Sequence, residues 1–407
     1  MGSGPPVHED DVATIAAYVA SFRWPGRDAT AVAAMIEGGA PLWREILRRV
    51  PNPPTRGRAL ELGSPPYNLT VLLRRFRNYD LALTAGVGGG LDEIVHEIES
   101  PTYGERHRFV CRVFDIESEP FPYDDAAFDL VLWCEVLEHL TADPVHALAE
   151  IHRVLRPGGH LLVTTPNVTS VAHIAALLRG ENVYDPYHLG AGFRGTRHSR
   201  EYTREELYAL VAGCGFGVER LDVVDVERPR TRLGRLLHPL LVHGVARLTG
   251  SSYRSNLFLL AERTERPFRW HFPPAVFDAG HVARHVAPRD VRVVMGENDE
   301  IHTSSGWGPL DAGPDGRVQR RCHVGEVHLL AGSRPQVTLV VTGGQAEVAV
   351  WCDGPASRMV AWRQVEHPDG VWHTVHIPLE EPVRPGTPLR LRVASLHGIG
   401  VHSAAGE

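Results

Sequence analysis

The chain has 407 residues, 43% of them hydrophobic and 22% charged, and carries a net charge of −7 at neutral pH. That length predicts two domains with a sizeable core in each, and the composition is that of a folded protein. The negative balance excludes a general nucleic-acid binder, whose affinity for phosphate backbones accumulates with basic residues; the 42 basic residues other than histidine are all arginine.

Residues 8–50 carry helical periodicity, with Val12, Ile15, Ala16 and Val19 followed by Val32, Met35, Ile36, Ile46 and Leu47. Trp24-Pro25-Gly26 divides this stretch into two helices, and the prolines of 51–54 end it, so an N-terminal helical extension over 1–54 is expected. From Arg58 onward, short apolar strands alternate with helices, the pattern of a parallel sheet built from βαβ units. Strands are expected at 59–62, 81–84, 109–114, 128–133, 160–165, 218–224 and 257–261, the last two pairing as an antiparallel hairpin. Helices fall between them, including 144–154 and 204–214. After Pro267 the texture changes to short alternating runs at 291–294, 337–341, 346–351, 374–377 and 389–393, separated by Gly, Pro and Asp turns. That predicts an antiparallel β-sandwich over 267–407.

The five cysteines (Cys111, Cys134, Cys214, Cys322 and Cys352) show no paired spacing, and the acidic N-terminus lacks an apolar leader. Reduced thiols and a cytoplasmic location are therefore expected. No apolar run reaches the ~18–20 residues of a membrane span. The stretch 233–248 comes nearest, but Arg235, His238, His243 and Arg247 interrupt it, and a helix covering the domain is expected there. Oligomerisation is left open.

The segment richest in chemistry begins Phe128-Asp129-Leu130-Val131-Leu132-Trp133-Cys134-Glu135-Val136-Leu137-Glu138-His139-Leu140. It continues through Asp143-Pro144 and a helix to Val154-Leu155-Arg156-Pro157-Gly158-Gly159, a strand, and Thr164-Thr165-Pro166-Asn167. An apolar strand ending in polar residues puts Cys134, Glu135, Glu138 and His139 at the carboxyl edge of the sheet, where open α/β sheets bind ligands. This string resembles the class I methyltransferases that use S-adenosylmethionine (SAM), over about residues 55–265. The resemblance implies a doubly wound, seven-stranded Rossmann-like sheet over 55–266 and SAM as cofactor.

It also implies cofactor contacts. Leu60-Glu61-Leu62-Gly63-Ser64-Pro65-Pro66-Tyr67 stands where the family carries an acidic residue and a glycine-rich loop, so Glu61, Gly63 and Ser64 are candidates. Pro65-Pro66 replaces the further glycines. The second strand ends in Thr84 rather than the usual acid for the ribose hydroxyls. Asp115 and Ile116 match the adenine position, the carboxylate accepting from the exocyclic amine and the apolar side chain covering the ring. Cys134 completes the set.

Glu135, Glu138, His139 and the later His198 admit two mechanisms. In the first, which ranks ahead, His139 or His198 removes the acceptor's proton without a metal. In the second, Glu135-x-x-Glu138-His139 plus His198 holds a divalent cation such as Mg²⁺, a spacing similar to that of small-RNA 2′-O-methyltransferases; the cation would acidify a hydroxyl. Tyr184 to Tyr202 forms a polar, aromatic insertion read as a substrate lid, with Tyr187, His188, Arg197, Arg200 and Tyr202 as acceptor contacts. Thr203 and Glu206 form a capping box for the helix that follows.

In the C-terminal half, His281, His285, His302, His323 and His328 lack a metal-ligand spacing, and Trp307, Trp351, Trp362 and Trp372 are expected as core rather than as a sugar platform. Asn298-Asp299-Glu300 with Gly306-Trp307-Gly308 loosely resembles the sandwich modules of bacterial glycan-assembly enzymes. The reading is therefore an O-methyltransferase of a sugar, glycan or glycosylated metabolite, with an accessory sandwich of binding or assembly role. Its alternatives are a methyltransferase of a non-sugar natural product, at O or N, and a binding protein that has lost catalysis, motivated by Ser64-Pro65-Pro66.

Overall fold

Asp11 starts α1 (Val12–Ala20) by accepting the Ala13 N–H at 2.9 Å. Its inward residues Ile15, Tyr18 and Val19 pack with Ile36, Trp43, Ile46 and Leu47 of α2 (Ala29–Leu47). The computed structural model describes residues 4–23, 29–86, 92–141, 143–186, 197–226, 231–278, 282, 290–299, 302–303, 307–352, 357–368 and 370–406. The chain divides into two units, Met1–Arg269 and Trp270–Glu407.

The first unit is built on β1 (Gly57–Glu61), α3 (Asn68–Phe76), β2 (Tyr79–Ala85), β3 (Glu93–Ser100), β4 (Glu105–Val113) and β5 (Phe128–Cys134). It continues with α4 (Pro144–Val154), β6 (Leu155–Pro166), α5 (Val171–Leu178), α6 (Arg204–Gly213), β7 (Phe216–Val224), α7 (Arg232–Pro239), α8 (Ala246–Thr249) and β8 (Asn256–Arg263). The strands form one sheet in the order β3-β4-β2-β1-β5-β6-β8-β7. β4, β2, β1, β5 and β6 run parallel, and β8 and β7 close that side as the expected antiparallel hairpin. β5 is buried along nearly its whole length because both faces of a central parallel strand are covered.

The sheet has eight strands, not seven. The extra one, β3, runs antiparallel to β4 where a helix was expected. Its sequence Glu-Ile-Val-His-Glu-Ile-Glu-Ser is an edge strand whose charges face solvent, and Glu99 pairs with Arg106 across the hairpin. β1 and β5, adjacent but far apart in sequence, mark the point where strand order reverses, so ligands are expected at their carboxyl ends.

The second unit is antiparallel: β9 (Arg292–Val294), β10 (Trp307–Ala312), β11 (Val318–Leu330), β12 (Gln336–Thr342), β13 (Gly344–Cys352), β14 (Arg358–His367), β15 (His373–Pro378) and β16 (Pro388–Gly406). β16 pairs with β9, β11, β12 and β13, and bends at Gly398, whose φ of 83° suits glycine. Alternation puts Val348, Val350, Val375, Ile377, Leu391 and Val393 inside, the pattern of a sandwich. Trp362 is exposed and Trp351 and Trp372 are half-buried, so these three are not the core aromatics expected, while the half-buried Trp307 packs against the core. His302 is a satisfied core histidine, Nδ1 against the His328 carbonyl at 2.6 Å and Nε2 against Asp290 at 3.2 Å. His281 and His285 lie outside the described residues.

Candidate functional site

At the carboxyl end of β1, the chain turns through Gly63, which is exposed and has φ 70°. A Cβ here would meet Val136 Cγ2 at 2.7 Å, so only glycine fits between β1 and the segment after β5. Thr84 is spent inside this loop: its hydroxyl donates to the Glu61 carbonyl at 3.2 Å and accepts the Gly63 N–H at 3.2 Å. It is 1% exposed, so the structure makes it a tie for the loop rather than the ribose contact expected. Ser64 likewise donates to the Glu61 carbonyl. The Glu61 carboxyl accepts from Thr70 at 2.7 Å, and burial pushes it up to about 8. Asp115 accepts from the Glu117 N–H and the Ser118 hydroxyl, which fixes the turn after β4; Ile116 is half-buried beside it. Burial raises the Cys134 thiol well above its ordinary range, which disfavours its thiolate.

β5 ends in a strained residue. Glu135 has φ 53°, held there by its N–H donating to the Thr164 carbonyl at 2.9 Å. Its carboxyl accepts from Thr164 Oγ1 at 2.9 Å, and burial raises its affinity for a proton. One helical turn on, Glu138 is 0% exposed; Oε2 accepts from Thr165 Oγ1 at 2.9 Å, while Oε1 has no hydrogen-bond partner among the described residues. Adjacent threonines at the end of β6 thus serve two carboxyls, because successive strand residues face opposite ways.

His139 Nδ1 lies 3.0 Å from the Arg197 carbonyl, which accepts only from a protonated nitrogen, so Nε2 keeps its lone pair. Burial lowers this imidazole's affinity for a proton. His198 Nδ1 meets Glu201 Oε1 at 3.0 Å, and that hydrogen bond raises the His198 pKa. The two rings meet edge to face with centroids 5.0 Å apart. Glu138, His139 and His198 bring one ligand atom each to within 4.8 Å of one another. Glu135 stands outside that trio, its carboxyl turned to Thr164.

Glu135, His198 and Glu201 open onto a cavity of about 440 Å³, also lined by Gly38 and Leu42 of α2, Asn167, Ser170 and His173 around the start of α5, and Asp225, Gly234, His238 and Asn256. Gly63, Ser64, Thr84, Asp115, Ile116 and Cys134 do not line it. Arg197 donates to the Asp185 carbonyl, Arg200 to Glu206, and Tyr202 is buried, so these three build the loop instead of facing the cavity. Tyr187 and His188 lie outside the described residues. Sequence reasoning missed Glu201, His173 and Asn256; only the three-residue spacing of Glu201 from His198 signalled any of them. The predicted capping box at Thr203 and Glu206 is present.

A family model described as a methyltransferase domain matches residues 93–163, from β3 into β6. The first unit thus matches a methyltransferase domain over part of its length, on a Rossmann-like sheet of the strand order given above. Residues of this domain are 36% identical over 99 positions to a ubiquinone biosynthesis O-methyltransferase of Parvibaculum lavamentivorans, covering 24% of this chain and 37% of that protein. They are 36% identical over 98 positions to a probable S-adenosylmethionine-dependent methyltransferase of Mycolicibacterium smegmatis, covering 24% and 32%. The chain therefore spans about a third of the curated relatives it matches. A putative methyltransferase solved in complex with the Haloferax volcanii Trm112 activator is 16% identical, covering 62% of this chain and 98% of its own, with a TM-score of 0.38. The family match begins after the Gly63 loop, where this methyltransferase domain departs from the usual glycine pattern.

Proposed function

We propose that this protein is a SAM-dependent O-methyltransferase acting on a hydroxyl of a sugar or other polyhydroxylated small molecule. The exposed Gly63 backbone fits the cofactor: it lies at the carboxyl end of β1, before α3, whose first turn has no side-chain cap. When bound there, SAM supplies a methyl group on a cationic sulfur, already activated for displacement. The polar lining of the cavity, with Asn167, Ser170, Asp225 and Asn256, suits an acceptor rich in hydroxyls.

One observation carries the mechanism: the fully buried Glu138 Oε1, without a hydrogen-bond partner among the described residues, beside the unprotonated Nε2 of His139, 3.9 Å away. With His198 Nε2 these atoms fit a divalent cation, each histidine oriented from behind by a carbonyl or a carboxylate, as metal-ligating imidazoles are. Such a cation would supply acidification of the acceptor hydroxyl. Glu135, in the cavity wall, is placed to receive the hydroxyl proton. A second reading rests on the His198–Glu201 pair: His198 Nε2 takes the proton itself, with Glu201 holding the imidazolium.

Titration calorimetry with SAM, followed by methyl transfer to a panel of sugars with and without exhaustive chelation, tests these readings. SAM is expected to bind, and activity to vanish on chelation and return with Mg²⁺ or Mn²⁺. No heat at millimolar SAM sinks the enzyme reading. Full activity after chelation removes the metal and leaves His198 as base.

A further inference from the structure

Residues 232–249 run as α7, a π-helical turn (Leu240–Val245) and α8, a helical stretch about 27 Å long at 1.5 Å per residue. The sequence expectation of a helix covering the domain accounts for only one of its faces. On the other face Leu236 is 71% exposed, Leu240 57% and Leu248 88%. The end of α5 continues this apolar surface: Leu177 and Leu178 are exposed, and Arg179 donates to Thr231, the N-cap of α7.

Charge decides what such a face meets. Between Thr231 and Ala261 there is no Asp or Glu, and the stretch carries Arg232, Arg235, Arg247 and Arg254, in a chain whose net charge is −7. Arg232 and Arg247 are exposed among the leucines. Among the described residues, the neighbouring carboxylates Asp225 and Glu181 are engaged, the first by His238 and Arg254 and the second by Arg179. Exposed leucines interleaved with arginines on one helical face are what an interfacial helix presents to anionic headgroups and the acyl boundary beneath them. A second copy of this face would bring arginine against arginine. No helix among the described residues is long and apolar enough to cross a membrane, so the contact is peripheral.

We propose that the outer face of residues 232–249, with the end of α5, docks on an anionic lipid bilayer. The inference is independent of the methyl-transfer reading. Co-sedimentation of the full chain with vesicles of phosphatidylcholine plus phosphatidylglycerol, against phosphatidylcholine alone, tests it. Binding is expected to the anionic vesicles only, and to weaken as salt rises. Leu236→Ser/Leu240→Ser and Arg232→Gln/Arg247→Gln are each expected to weaken it about tenfold or more, with thermal midpoints unchanged. Absence of binding, equal binding to neutral vesicles, or variants that bind like the parent would overturn the proposal. So would self-association of the parent that the leucine variant abolishes, which assigns the face to a second copy.

Discussion

Glu61, at the end of β1, and Glu138, in the turn after β5, are both enclosed carboxyls, and each accepts one threonine hydroxyl, from Thr70 and Thr165. Glu61 takes the Thr70 hydroxyl, and burial still pushes it up to about 8 from an ordinary 4.5. Between those values the folded chain holds a proton that the unfolded chain has released, so stability falls as pH rises through this window. Glu61→Gln keeps an acceptor for Thr70 and removes the titration. Denaturant unfolding at pH 5 and pH 8 is expected to show a smaller loss in the variant; equal slopes in both proteins would contradict the assignment. Glu138 Oε1 has no hydrogen-bond partner among the described residues, which in a structural residue is a cost without return. Glu138→Gln is therefore expected to cut turnover ~100-fold or more and to change unfolding stability by less than about 1 kcal/mol. Loss of stability with turnover intact would make the residue structural. Glu201→Gln, which leaves the His198 ring without its carboxylate, is expected to weaken Mg²⁺ or Mn²⁺ affinity about 10–100-fold, read by metal titration of activity.

α2 is fixed to the sheet by a buried ionic group. Arg49, just past its end, donates to Glu45 at 2.8 Å and to Asp222 of β7 at 2.8 Å, with its guanidinium 4.5 Å from the Phe258 ring centre. Burial pushes the Glu45 carboxyl up, but hydrogen bonds from Arg49 and Arg44 outweigh it and hold it below the usual range. Arg49→Met leaves Glu45 with Arg44 and Arg48 and Asp222 with Arg220, and is expected to cost about 1–2 kcal/mol in denaturant unfolding; because Gly38 and Leu42 of α2 line the cavity, acceptor KM should rise as well. Elements of this kind were legible where periodicity is strong: the seven expected strands of the first unit all fall on strands, and Thr203-x-x-Glu206 gave its helix start. β3 was not legible, since an edge strand of alternating Glu and Ile has the composition of an exposed helix too. β11 and β14 were missed for a related reason, their inward residues being interrupted by Arg, His and Glu on the outer face. In the site, Glu135, Glu138 and His139 are contiguous and could be read directly. The Nδ1 partner of His139 could not be, because the Arg197 carbonyl lies 58 residues further along the chain and is brought there by tertiary packing, whereas Glu201 stands only three residues after His198.

At the scale of the whole chain, each unit closes a core of its own. In the first, Phe109, Leu130, Leu132 and Leu162 of the sheet pack with Ile15 and Trp43 of the N-terminal helices. In the second, Val337, Leu339, Val348, Val350 and Leu391 do the same between strands of one antiparallel framework. Cooperative unfolding follows a shared core, so two cores predict two transitions rather than one in scanning calorimetry. The residues proposed to hold SAM and the cation all belong to the first unit. A ligand that binds only the folded form stabilises by about 2.7 kcal/mol at 100 times its Kd, and that gain belongs to the unit that holds it. SAM is expected to raise the midpoint of one transition and leave the other where it stands. A single transition that SAM moves as a whole would mean that the two cores unfold as one, and that the sandwich contributes to the stability of the methyltransferase domain instead of folding beside it.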